Sequence, residues 1–215
     1  MATPEPRGLS ARQRAIKRGF DLVVGGIGFV LTLPIVLIAT VAARFDTGAS
    51  GIFRQERIGR DGVPFEVRKI RTMRVSTVHT TTVTTAHDAR ITRLGGLLRK
   101  FKVDELPQLL NVLRGEMSLV GPRPDVAGFA DALTGADRIV LQVRPGITGP
   151  ASLAYRHEED LLTQAEDPET YNREVIWPDK VRINRAYIEN WTLMSDIRCM
   201  IDTVRSVADK DPQDG

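Results

Sequence analysis

Two adjacent carboxylates, Asp104 and Glu105, lie among cations: Arg99, Lys100 and Lys102 precede them, and Arg114 and Arg123 follow. A carboxylate is ionised at pH 7 and needs no base to attack phosphorus. Neighbouring carboxylates repel, so the pair calls for positive charge close by. A helix dipole, the flanking cations or a divalent metal would supply it. Magnesium (Mg2+) suits oxygen ligands and neutralises developing phosphoryl charge, which makes Asp104 and Glu105 candidate metal ligands as well as candidate catalytic residues. The plainer reading is a capping aspartate, a glutamate that favours the dipole, and solvated cations.

The element that must position the pair is the apolar run behind it. Leu106, Leu109, Leu110 and Leu113 recur at one-face helical spacing, and Pro107 falls in the first turn, where it is tolerated. Asp104 is then expected at the N-cap or in the first turn, where the dipole favours an ionised carboxylate and a phosphate beside it.

Other cations have elements of their own. Gly51–Thr72 reads as a β-hairpin turning at Gly59–Gly62, with Lys69 and Arg71 on one strand face. Together they would meet one anionic ligand, or simply line a solvated face. The stiff loop Gly121-Pro122-Arg123-Pro124 holds an arginine suited to bidentate phosphate recognition. Arg144–Pro150 is a second loop of that sort, with a structural turn as its plainer reading. The candidate phosphate ligands are therefore Lys69, Arg71, Arg99, Arg114, Arg123 and Arg144.

Upstream, Leu22–Ala43 carries no charge over about 22 residues, enough for a membrane-spanning helix. Arg12, Arg14, Lys17 and Arg18 precede it, and Arg44, Arg54 and Arg57 follow, so both flanks ask to be cytoplasmic. A re-entrant helix broken at Pro34 satisfies both ends, and a straight span is the alternative. A cleaved signal peptide is disfavoured, because the run is too long and its proline is central. Met1–Ser10 reads as a disordered tail and threonine-rich Val75–Ala89 as a mobile loop placed to act as a lid. Arg90–Phe101 is expected as a helix in which Gly95-Gly96 marks close packing. Lys180–Val207 has helical patterning, and Trp177, Tyr187 and Trp191 suit a membrane interface or a core equally.

Composition narrows the class. A chain of 215 residues with net charge +3 fits one domain with a real core. The single cysteine, Cys199, excludes an intrachain disulfide and fits a reducing cytoplasm. His79, His87 and His157 show no metal-ligand spacing. Near-balanced charge argues against nucleic acid as a partner, and no Walker-type or dinucleotide-type glycine loop is present.

The motifs DELPQL, LRGEMSLVGPRP and RQERIG, behind the apolar segment, together resemble the bacterial sugar transferases, or monotopic phosphoglycosyl transferases. The resemblance runs from about Lys17 to Val204. It implies an α+β, mainly helical, membrane-associated monotopic domain with a re-entrant N-terminal helix, a small β-hairpin and amphipathic helices at the membrane surface. Residues 1–18 would be a basic tail, 19–45 the membrane helix, 46–207 the catalytic domain and 208–215 a C-terminal tail. It further implies transfer of a sugar-1-phosphate from a UDP-sugar to a polyprenyl phosphate with release of UMP. The site would be the cytoplasmic face of the bacterial inner membrane, the pathway exopolysaccharide or other glycoconjugate assembly. Membrane lipids are implied partners, and a homodimer is left open. On this resemblance Asp104 is the nucleophile, Glu105 holds metal or positions the lipid phosphate, and Arg123 with Lys69 or Arg71 holds phosphates. The loops carrying Arg123 and Arg144 would border the nucleotide-sugar pocket. The chain departs from the family in having Leu33-Pro34 where Ser-Pro is common, and Lys69-Ile70-Arg71-Thr72-Met73 where K-F-R-T-M is usual. It also has Pro150-Ala151-Ser152 where an aromatic often follows Thr-Gly. The competing reading is a non-catalytic, membrane-anchored domain that binds anionic lipid.

Overall fold

The computed structural model describes residues 8–75 and 88–208. Most of the expected lid, and the outer parts of both expected tails, lie outside these residues.

The N-terminal helix α1 (Ala11–Thr47) starts earlier than the apolar run, because Ser10 and Gln13 close a capping box around its first turn. The basic cluster Arg12–Arg18 is therefore helical rather than part of a tail. Helix α1 continues through Pro34 as one helical element. A proline removes only one hydrogen bond, and in an apolar helix the remaining backbone groups have no better partners than each other. The Thr32 hydroxyl donates to the Gly28 carbonyl at 2.7 Å, within the turn ahead of the proline.

Helix α1 meets the rest of the protein along much of one side, from Lys17 through Gly28 and again at Ala39 and Ala43. Arg18 donates to the Val112 and Leu113 carbonyls at 2.6 and 3.0 Å. Asp21 accepts from the Ser118 hydroxyl and the Leu119 amide. Lys17 pairs with buried Asp196, which also accepts from Tyr187 and Trp191. Further along, Ala39 and Ala43 pack with Ile70 and Leu98. Val23, Ile27, Val30, Leu31, Ile35, Leu37, Ile38 and Val41 remain exposed.

Strands β1 (Ile52–Ile58) and β2 (Pro64–Ile70) form the expected antiparallel hairpin, with Phe53 opposite Lys69 and Arg57 opposite Phe65. Helix α2 (Arg93–Lys100) is capped by Thr92. A Cβ on Gly95 would sit 2.1 Å from the Thr72 carbonyl oxygen, so the close packing is real there, while Gly96 has open space. Leu94 and Leu98 face α1, whereas Leu97 and Phe101 are exposed rather than sharing that buried face.

Helix α3 (Gln108–Arg114) is followed by strand β3 (Ser118–Val120), which pairs in parallel with β4 (Gly146–Thr148). This pairing joins the two proline loops backbone to backbone. A Cβ on Gly121 would lie 2.6 Å from the Arg144 carbonyl oxygen, and one on Gly149 2.1 Å from that of Gly121. Glycine is what the contact requires. Short helices α4 (Pro150–Ala154), α5 (Glu158–Gln164) and α6 (Pro168–Tyr171) follow, then α7 (Trp177–Glu189) and α8 (Leu193–Ala208). The helical patterning of Lys180–Val207 falls in two helices, α7 and α8. Tyr187 and Trp191 are buried among Val112, Val120 and Ile188, with Trp177 packed against them. They are core residues rather than interfacial ones.

Candidate active site

Asp104 and Glu105 occupy a 3-10 turn, Val103–Glu105, rather than the N-cap of α3. Pro107 takes the cap position and makes no side-chain capping bond. The cause is local: Lys102 adopts a left-handed conformation (φ 54°), which reverses the chain after α2 and tightens the next turn. A non-glycine residue in that region stores strain beside the acidic pair.

The two carboxylates have different surroundings. Glu105 Oε1 accepts from Lys69 Nζ at 3.0 Å and from Arg123 Nη2 at 2.6 Å. Burial works to raise its pKa, but Arg123 and Lys69 outweigh burial and hold it well below the usual range. Asp104 is equally buried, and its Oδ1 has no hydrogen-bond partner among the described residues. Burial, then the neighbouring Glu105 charge, push its carboxyl up to about 6 against the pull of Lys69, Arg99 and Lys102. At pH 7 roughly nine in ten copies remain ionised. One carboxylate is thus locked into an ion network, and the other is charged, poorly solvated and free to react.

The predicted cations divide. Lys69 and Arg123 reach the pair directly, and Arg99 acts on Asp104 through its charge. Arg71 does not join them: β2 ends at Ile70, and the Arg71 guanidinium donates to the Ser50 carbonyl at 2.7 Å and stacks on Phe53. Arg114 is exposed at the far end of α3, about 10 Å of helix away. Arg144 donates to the Gly115 carbonyl at 2.7 Å, where a cation complements the negative end of α3. The Arg144 Nε is therefore engaged within the protein in this structure.

Other charged groups lie nearby that the sequence does not mark as site residues. Arg57 shares the Lys69 face of the hairpin, and its guanidinium pKa is lowered by burial and by Arg123. Asp125, after the proline loop, is pushed up to about 7 by burial, against Lys180, Arg57 and Arg123. Lys180 in turn pairs with Glu158 at 2.6 Å. Strand alternation from Lys69 through the hairpin register would have found Arg57. Nothing local points to Lys180 or Glu158.

Among the described residues, no three His, Cys, Asp or Glu side chains converge as a metal site. The free Asp104 Oδ1 is an oxygen donor that fits Mg2+, which typically rests on one or two carboxylates plus substrate phosphates. Glu105 is less available than expected, because two cations already hold its Oε1.

The sequence profile described as bacterial sugar transferase matches residues 12–210. The chain belongs to that family. The UDP-glucose:undecaprenyl-phosphate glucose-1-phosphate transferase of Escherichia coli K12 is 34% identical over 201 residues, covering 91% of this chain and 41% of that protein. The similarly named protein of Caulobacter vibrioides is 35% identical over 201 residues, with 91% and 70% covered. The exopolysaccharide production protein ExoY of Sinorhizobium fredii is 30% identical over 207 residues, with 89% and 84% covered. The chain thus spans about two fifths of the Escherichia coli relative and most of the other two. In this chain the acidic pair and the proline-flanked arginine meet around Glu105.

Proposed function

We propose that this chain moves a sugar-1-phosphate from a UDP-sugar to a polyprenyl phosphate, as the names of its relatives say of them, in exopolysaccharide or related assembly. The observation that carries the reading is the division of labour in the acidic pair. Asp104 is a charged carboxylate with a free oxygen, and Glu105 fixes two cations beside it. In the first step an Asp104 oxygen attacks the β-phosphorus. The P–O bond to UMP breaks, and UMP leaves with the electron pair. In the second step a polyprenyl phosphate oxygen attacks the same phosphorus and expels the Asp104 carboxylate. Neither step needs a proton donor or base. Lys69 and Arg123 hold phosphate oxygens and lower the repulsion between anions. Magnesium, held by Asp104 and the substrate phosphates, would neutralise charge on the diphosphate.

The membrane is where the lipid phosphate lies. The exposed apolar face of α1 supports a membrane-associated chain, as do exposed Leu97 and Phe101 beside Arg93, Lys100 and Lys102. Helix α1 is long and apolar enough to cross a bilayer. Segments of α1 on both sides of Pro34 contact one body, which supports a helix that bends at the proline and enters and leaves by the same face. Basic flanks on both sides support a cytoplasmic placement of that face.

The test is intact-protein mass after incubation with UDP-sugar and no lipid acceptor. The wild type should gain one phospho-sugar, Asp104→Asn none, and excess EDTA should prevent the gain. An adduct elsewhere, or normal turnover by Asp104→Asn, would overturn the two-step reading.

A further inference from the structure

Resting on the transfer reading above, we propose that Asp125 binds the donor, its carboxylate accepting a hydrogen bond from a hydroxyl of the UDP-sugar. Asp125 is half-buried, and its side chain makes no hydrogen bond or ion pair among the described residues. Its oxygens are not sealed from solvent, so an incoming group can reach them.

The cations around Asp125 are engaged elsewhere. Arg123 donates to Glu105 at 2.6 Å, and Lys180 donates to Glu158 at 2.6 Å. Arg57 donates to Gln55 Oε1 at 2.6 Å and to the Pro124 carbonyl at 3.3 Å. The charges of all three reach Asp125, but none of their N–H groups bonds to it. A carboxylate kept only for charge balance would take one of them as a direct partner, as Glu105 and Glu158 do. Burial instead outweighs the three cations and holds the carboxyl at about 7, with no hydrogen bond supporting its charged form.

The backbone fixes Asp125 beside the acidic pair. Arg123, bonded to Glu105, lies two residues before it, so their Cα atoms are at most about 7 Å apart. The Ile58 amide donates to the Asp125 carbonyl at 2.8 Å, which pins the residue to the end of β1. Arg57, next to Ile58, lies within electrostatic reach of both Glu105 and Asp125.

The chemistry selects which part of the donor Asp125 meets. A phosphate would be repelled by the carboxylate, and a further cation by Arg57, Arg123 and Lys180. A neutral hydroxyl meets neither objection, and an ionised carboxylate only accepts. Ribose and hexose both carry hydroxyls within a few bonds of the diphosphate. Either ring can present one here while Lys69 and Arg123 hold phosphate oxygens. No covalent bond forms to Asp125.

The full-length protein is assayed in detergent at pH 8 with polyprenyl phosphate and the UDP-hexose it turns over, chosen from UDP-glucose, UDP-galactose and UDP-N-acetylgalactosamine. Singly deoxygenated versions of that donor are compared in wild type and Asp125→Ala. The variant should raise KM for the donor about 10- to 100-fold, with kcat changed only a few-fold. One deoxy donor should lose a similar factor in kcat/KM with the wild type and nothing further with Asp125→Ala. If that donor lacks a ribose hydroxyl, the contact is to the nucleoside; if a hexose hydroxyl, to the transferred sugar. Asp125→Ala should melt no lower than the wild type at pH 8, because burial disfavours the ionised carboxyl it removes. Wild-type KM in Asp125→Ala would overturn the proposal. So would deoxy donors that cost the same in both proteins, or a loss of activity that tracks a lowered melting temperature. A wild type that transfers no phospho-sugar from any donor sinks the transfer reading instead, a result distinct from these.

Discussion

Replacing Asp104 by Asn should stabilise the protein while abolishing its chemistry. The carboxyl is raised from an ordinary value of 3.8 to about 6, chiefly by burial and then by Glu105. A raised carboxyl favours the folded state only while it stays protonated. Below the unfolded value both states are protonated, and the group contributes nothing that Asn lacks. Between about 4 and 6 the unfolded chain ionises first, and the wild type loses stability as pH rises. Above about 6 both states are ionised and the deficit is complete, on the order of 3 kcal/mol. Asn keeps the shape and the unpartnered Oδ1, so those costs cancel in the comparison. For a domain of this size the gap corresponds to roughly 6–12 °C in melting temperature. Melting in detergent should be followed for both proteins from pH 4 to pH 8. The Asn variant should gain progressively with pH and level off near 7, and the curves should meet near pH 4. A gap that is absent at pH 8, or equally large at pH 4, would refute the argument that Asp104 is charged against its environment. The same environment that destabilises the carboxylate keeps it reactive, a trade found where function needs an unfavourable group.

The same carboxyl sets the acid limb of the chemistry: adduct formation should fall about tenfold per pH unit below about 6, and an unchanged rate down to pH 5 would contradict it. Lys69→Ala should lose both the Glu105 contact and at least about 100-fold in kcat, whereas Arg71→Ala should stay near wild type because its guanidinium serves the Ser50 carbonyl. Steady-state turnover of the two variants side by side decides this. Gly95→Ala should destabilise by about 2 kcal/mol or more, since its Cβ would meet a backbone oxygen, while Gly96→Ala should be neutral or slightly stabilising in the helix. Melting of the two single variants is the measurement.

Local information decided a good deal of this protein by itself. The hairpin was legible because turn residues at Gly59–Gly62 separate two strand-like runs, and the apolar helix because no charge interrupts Leu22–Ala43. The acidic pair, the arginine between prolines and the family motifs were visible as letters. What the letters could not state was the partner of each charge. Lys69 and Arg71 have the same alternation, yet only Lys69 reaches Glu105, because the strand ends at Ile70 and the chain turns toward Ser50. Arg123 and Arg144 sit in similar loops, yet the parallel pairing of β3 with β4 sends one to Glu105 and the other to the end of α3. Asp104 looks like a cap from its spacing, and a left-handed Lys102 makes it part of a tighter turn instead. In the first two cases the deciding quantity is a distance between segments far apart in the chain; in the third it is one backbone conformation that residue type does not announce. Periodicity and residue type report what a side chain can do, while register, strand ends and close glycine contacts determine what it meets.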